Sequence, residues 1–200
     1  LSSNISKFLI NYLNETNFRD RDLFYMLSSI TFKILAYENS DKHINTFFNE
    51  ISSKCISMLK NRKITDNEDE ILEFKGSEYF RGSPDDISDK IITDLKKKLG
   101  GNDFKVYLIG VVEPPKGKLD PIPQQQLTSD HMKFIEKRIE KENYVNKAHI
   151  SAIEVDNDNS IVALTVLGEK TNKDDLMGMF KWNYLHRLII QEFNRNMNSN

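Results

Sequence analysis

The feature that most limits what this chain can fold into is Ser160–Gly168, Ser-Ile-Val-Ala-Leu-Thr-Val-Leu-Gly. The run is almost continuously apolar and rich in β-branched residues. It follows the turn-like Asp156-Asn157-Asp158-Asn159 and stops at a glycine. Such a run is a strand with two apolar faces, so it needs cover on both sides. Phe104–Glu113 has the same character: Val106, Leu108, Gly110 and Val112 alternate with Tyr107, Ile109 and Val111. Ala148–Asp156 reads as a strand joined to Ser160–Gly168 by a short turn, which predicts an antiparallel hairpin. The expected fold class is α+β, with an N-terminal helical layer and a small three-stranded mixed sheet (104-113, 148-156, 160-168) packed with helices.

The helices carry their own punctuation. Ile44, Phe47, Phe48, Ile51, Cys55, Met58 and Leu59 recur at helical spacing after Ser40-Asp41. Earlier apolar residues from Phe8 to Leu35 extend the helical reading over about the first 62 residues. Residues 63–70 are polar and acidic, and 63-82 reads as a linker. Ile71–Phe74 fits either a short strand or one helical turn. Ser83-Pro84-Asp85-Asp86 is a helix start: a capping serine, proline in the first turn, and acids at the positive end of the dipole. Lys96-Lys97-Lys98 and Gly100-Gly101 close that helix. Thr128-Ser129 starts another, with Met132, Ile135 and Ile139 as its buried face. The last helix, from Thr171 or Asn172 to about Asn194, is apolar on more than one face. The domain organisation expected is a helical layer over 1-62, the linker 63-82, and an α-β-α-β-β-α domain over 83-200.

Composition excludes several classes of function. The formal net charge is −2 and the isoelectric point about 6.1. No global attraction to nucleic acid or to an anionic membrane follows, so any such binding needs a local patch. No run of about 18 apolar residues is present, and no membrane association is expected. Cys55 is the single cysteine, so no disulfide forms within the chain, which fits a reducing, cytoplasmic location. On its apolar helix face it reads as a buried structural thiol. The chain starts at Leu1 rather than Met, and a processed form or fragment fits that start.

Four groups of residues bear on chemistry. Four of the 5 prolines fall between Pro114 and Pro123, making a loop in which Lys116 and Lys118 flank Gly117. Lys133, Lys137 and Lys141 follow at i, i+4, i+8, one stripe of a helix, with His131 and Arg138 nearby. Stripes of this kind neutralise phosphates, and Lys116, Lys118, Lys133, Lys137 and Lys141 are the nucleic-acid-binding candidates. The interleaved Glu136, Glu140 and Glu142 argue instead for an ordinary solvated face. Glu113, Glu154 and Asp156 end strands, with Glu169-Lys170 at a third end. Converging strand-end carboxylates hold Mg²⁺ in metal-dependent hydrolases and nucleases. Glu169 and Lys170, however, are adjacent and cannot share a strand face. His43, His131, His149 and His186 stand apart from one another, at no metal-ligand spacing. No serine–histidine–acid set, cysteine pair or phosphate-binding glycine loop is nominated. Finally, Trp182, Tyr184 and Arg187 on the last helix are the residue types that anchor protein interfaces.

The functional expectation is therefore a non-catalytic protein–protein interaction or assembly module, without cofactor or metal, using Trp182, Tyr184 and Arg187 on a protein partner or a second copy. A nucleic-acid-binding module using the lysines and the proline-rich loop is the alternative. A metal-dependent hydrolase or nuclease is the second alternative. No catalytic residue is assigned.

Overall fold

The computed structural model describes residues 11, 18–24, 26–27, 42–99 and 104–171, with only the backbone of 42–48. The chain forms two compact units, Leu1–Cys55 with Asn172–Asn200, and Ile56–Thr171. Most of the described residues belong to the second. The last helix expected from the sequence, with Trp182, Tyr184 and Arg187, lies outside the described residues. So does half of the expected N-terminal helical layer. Its described part includes helix α1, Lys42–Lys60, where Cys55 is fully buried and burial pushes its thiol up to about 12.

The second unit is a mixed sheet with two helices. Strand β1 is Leu72–Lys75. A 3-10 turn, Ser77–Phe80, leads to helix α2, Pro84–Lys98. Strand β2 is Phe104–Ile109, followed by two short strands, β3 at Val111–Val112 and β4 at Lys118–Leu119. Strand β5 is Ile122–Pro123, helix α3 is Ser129–Ile139, β6 is Val145–Asp156 and β7 is Asn159–Gly168. The main sheet has five strands. β1 pairs parallel with β2, β2 antiparallel with β7, and β7 antiparallel with β6. β5 continues the β2 side of β7, with Ile122 opposite Ser160. β1 and β6 are thus the outer strands.

The expectation of three strands is corrected in three ways. Ile122–Pro123, inside the stretch read as a proline-rich loop, is strand β5 of the sheet. Leu72–Lys75, inside the stretch read as a linker, is a strand of the sheet. The strand expected over 104–113 breaks at Gly110, whose φ of 96° is a left-handed conformation that favours glycine. A side chain there would also press on Asp120 O and on Ile161. Beyond Gly110 the chain leaves the main sheet, and β3 pairs with β4 as a separate two-stranded ribbon.

The elements form for local reasons. Ser83 caps α2 in a full capping box: its hydroxyl accepts from Asp86 N–H while Asp86 accepts from Ser83 N–H. The Thr128 hydroxyl caps α3 by accepting from His131 N–H. From Ser160 to Gly168, β7 is buried at every position, as its composition requires. Ile87, Ile91, Ile92 and Leu95 of α2 and Ile135 and Ile139 of α3 pack on one sheet face, against Tyr107, Ile109, Val162, Leu164 and Val166. That layer holds the helices against the sheet and fixes where their polar faces point.

Candidate functional site: helix α3 on the edge of the sheet

An outer strand carries backbone N–H groups with no strand partner, and buried ones need an acceptor. Here carboxylates supply it on both edges. On β1, Leu72 N–H donates to Asp69 Oδ1 at 2.9 Å and Phe74 N–H to Glu68 Oε1 at 2.6 Å. On β6, Ile150 N–H donates to Glu136 Oε1 at 2.7 Å and Ala148 N–H to Glu140 Oε1 at 3.1 Å. The match on β6 is geometric. Four residues advance a helix by about 6 Å, and two residues advance a strand by nearly 7 Å. Glutamates at i, i+4 on α3 therefore meet alternate N–H groups on β6.

This docking gives α3 three faces. Ile135 and Ile139 face the core. Glu136 and Glu140 face the β6 edge. Lys133 and Lys137 follow about 100° further round, exposed to solvent, and Lys141, expected on the same stripe, is exposed in the turn beyond the helix end. The glutamates that interleave the lysines in sequence are engaged elsewhere. Glu136 pairs with His149, Glu140 with Lys147, and Glu142 with Lys96 and Arg138. Among the described residues no carboxylate forms an ion pair with Lys133, Lys137 or Lys141. Phe134 adjoins them, and at 42 % exposure it is the exposed large hydrophobic residue of the described part.

Lys116 and Lys118 are also exposed, but the five candidate lysines do not form one patch. Lys116 and Lys118 lie on the β3–β4 ribbon, and β3 packs beside β1. The α3 lysines sit over β6, at the other edge. Gly117 is not open for a phosphate to approach. It is buried, its carbonyl accepts from Ile64 N–H at 2.8 Å, and a side chain there would run into Ile64 O.

The strand-end carboxylates are not brought together either. Glu113 leaves the sheet with β3 and meets Glu68, whose carboxyl is raised by burial and then by this carboxyl–carboxyl hydrogen bond. Asp156 closes the β6–β7 turn, accepting from Asp158 N–H and from the Asn159 side chain, and pairs with Lys60 at 3.9 Å. Glu154 is exposed. Among the described residues no group of three or more His, Cys, Asp or Glu could hold a metal ion. No described helix is long and apolar enough to cross a membrane.

The structure does assemble a serine–histidine–acid chain that sequence spacing did not nominate. His149 and Ser151 alternate along β6 and so share a strand face. Ser151 Oγ lies 3.1 Å from His149 Nε2, and His149 Nδ1 lies 3.1 Å from Glu136 Oε1. Both His149 and Ser151 are half-buried. Burial pushes the Glu136 carboxyl up, but the bonds from His149 and Ile150 N–H outweigh it and hold the carboxyl below its ordinary value. The His-x-Ser alternation and the helix that carries the acid were both visible in the sequence; the docking of that helix on the β6 edge was not.

Comparison with protein-family models, with curated proteins and with solved structures finds no match to this chain.

Proposed function

We propose that the chain is a nucleic-acid-binding module whose contact surface is the outer face of α3. The observation that carries this reading is the segregation of charge on that helix. The interleaved glutamates were the argument for an ordinary solvated face, and they are turned to the β6 edge or to other cations. Lys133 and Lys137, about 6 Å apart along the helix, and Lys141 in the turn just past its end are left facing solvent beside an exposed aromatic ring. That spacing suits successive phosphates, and lysine contacts of this kind supply salt-dependent, sequence-independent affinity.

The test is fluorescence anisotropy with labelled single- and double-stranded DNA and RNA. Three phosphate contacts on a duplex predict affinity falling about 40-fold between about 50 and about 200 mM salt. Changing Lys133, Lys137 and Lys141 to glutamate should abolish binding. Changing Lys116 and Lys118 should leave it unchanged, since they sit at the opposite edge. Absence of binding at low salt, or binding indifferent to the three helix lysines, overturns the reading. The protein-interaction role of Trp182, Tyr184 and Arg187 then leads.

A further inference from the structure

We infer that Ser151 is a nucleophile activated by His149, with Glu136 as its positioning residue, and that the site acts on carboxylic esters. The inference is independent of the nucleic-acid reading. It rests on the order of atoms along the chain as much as on the two distances. Glu136 Oε1 already accepts from Ile150 N–H at 2.7 Å, which fixes the carboxylate on the β6 edge. A carboxylate only accepts, so the ring nitrogen facing it, Nδ1 at 3.1 Å, carries the hydrogen. The other nitrogen, Nε2, is then bare in the neutral ring and accepts from the Ser151 hydroxyl at 3.1 Å. Nucleophile, base and orienting acid thus stand in the arrangement that serine acyl transfer uses.

Two further observations separate this chain from an incidental contact. The acid is not a freely rotating surface side chain, because a backbone N–H and the helix hold it. Directly opposite His149 in the β6–β7 register, the buried Thr165 hydroxyl has no hydrogen-bond partner among the described residues.

The chemistry balances with an ester and water. Ser151 Oγ attacks the ester carbonyl carbon and its proton passes to His149 Nε2. The bond from that carbon to the alkoxy oxygen breaks, and the leaving oxygen takes the proton from His149. Water then attacks the acyl-serine, giving up a proton through His149, and releases the acid with the serine restored. Glu136 keeps the ring oriented and anchored throughout and remains anionic.

The experiment is to treat the full chain with a fluorophosphonate, which loses fluoride on attack by a serine oxygen, and to locate the adduct by peptide mass spectrometry. Turnover of p-nitrophenyl acetate is measured alongside. The expected result is an adduct at Ser151 in preference to other serines. It should be lost in Ser151→Ala and slowed about 100-fold in His149→Gln. Glu136→Asp should keep part of the rate that Glu136→Gln loses, with melting temperatures recorded beside the rates to separate positioning from folding. No adduct at Ser151 in the unmodified chain overturns the inference. An adduct that forms equally fast in His149→Gln overturns it too. Should His149→Gln fail to fold, preferential labelling of Ser151 over denatured protein decides.

Discussion

Glu136 is the residue whose loss the fold should feel most for its size. It accepts two hydrogen bonds, from Ile150 N–H at 2.7 Å and from His149 Nδ1 at 3.1 Å, and its side chain is 20 % exposed. A hydrogen bond to a charged group contributes about 1.5–3 kcal/mol, and an unsatisfied buried donor costs about 1–3 kcal/mol. Ile150 is 5 % exposed, so truncation leaves its N–H with little water to replace the carboxylate. Glu136→Ala should therefore cost about 2–3 kcal/mol, a fall in melting temperature of about 10 °C at pH 7. The neighbouring Lys137→Ala removes a side chain with no ion-pair partner among the described residues and should stay within about 0.5 kcal/mol. The pH dependence carries a sign. The folded Glu136 carboxyl lies below its unfolded value, so its contribution is fully present above about pH 4.3. It is lost as pH falls through the folded value. Thermal unfolding of both proteins from pH 7 down to pH 3 reads this directly, the gap between them narrowing in acid. An uncovered β6 edge should also pair with itself, seen as concentration-dependent association on size exclusion. A melting temperature unchanged at pH 7, or a deficit that persists undiminished at pH 3, would refute the edge-covering argument.

The other edge should respond in the opposite sense. Glu68 is raised by burial and by its hydrogen bond with Glu113, so its contribution is fully present below its unfolded value and is lost as pH rises through the folded one. As pH falls from 7 to the unfolded value of about 4.3, the parent chain should gain stability relative to Glu68→Gln, measured as the difference in urea midpoints. Gly117→Ala should cost on the order of 3 kcal/mol by calorimetry, since the new carbon meets backbone at Ile64 rather than a movable side-chain end. Gly76→Ala, whose nearest contacts are with the movable Glu78 carboxylate, should cost under about 1 kcal/mol. Ser83→Ala removes the cap of α2 and should cost about 1 kcal/mol in the same assay.

What could be read from the sequence was what short-range physics decides. Ser160–Gly168 had to be buried on both faces because it had no polar face to offer. The α2 start was legible because the cap, the proline and the acids act within one turn. The break at Gly110 was not legible. A glycine inside an apolar run is compatible with a continuous strand until Asp120, ten residues on, and Ile161, fifty-one residues on, approach it. β1 was ambiguous for a related reason: four residues specify a strand only through a partner, and Val106–Ile109 comes more than thirty residues later. The candidate site failed at the same kind of step. Lys133, Lys137 and Lys141 were readable as a stripe, but which charge each glutamate would meet depended on which strand edge lay beneath α3.

That dependence ties the three roles of α3 together. An isolated helix with lysines and glutamates in adjacent stripes pairs them with each other and offers no net field. Here the β6 edge competes for the glutamates with backbone N–H groups that have no other partner, and buried donors hold a carboxylate more firmly than exposed lysines do. The glutamates go to the strand, and the lysines are freed by the same contact. The contact that frees them also brings Glu136 to His149 and so sets which nitrogen faces Ser151. Edge cover, cationic face and serine relay are thus consequences of one register between a helix and a strand. A change at Glu136 should disturb all three. A change at Lys133, Lys137 or Lys141 should disturb the cationic face alone, leaving the melting temperature and the reactivity of Ser151 where they were.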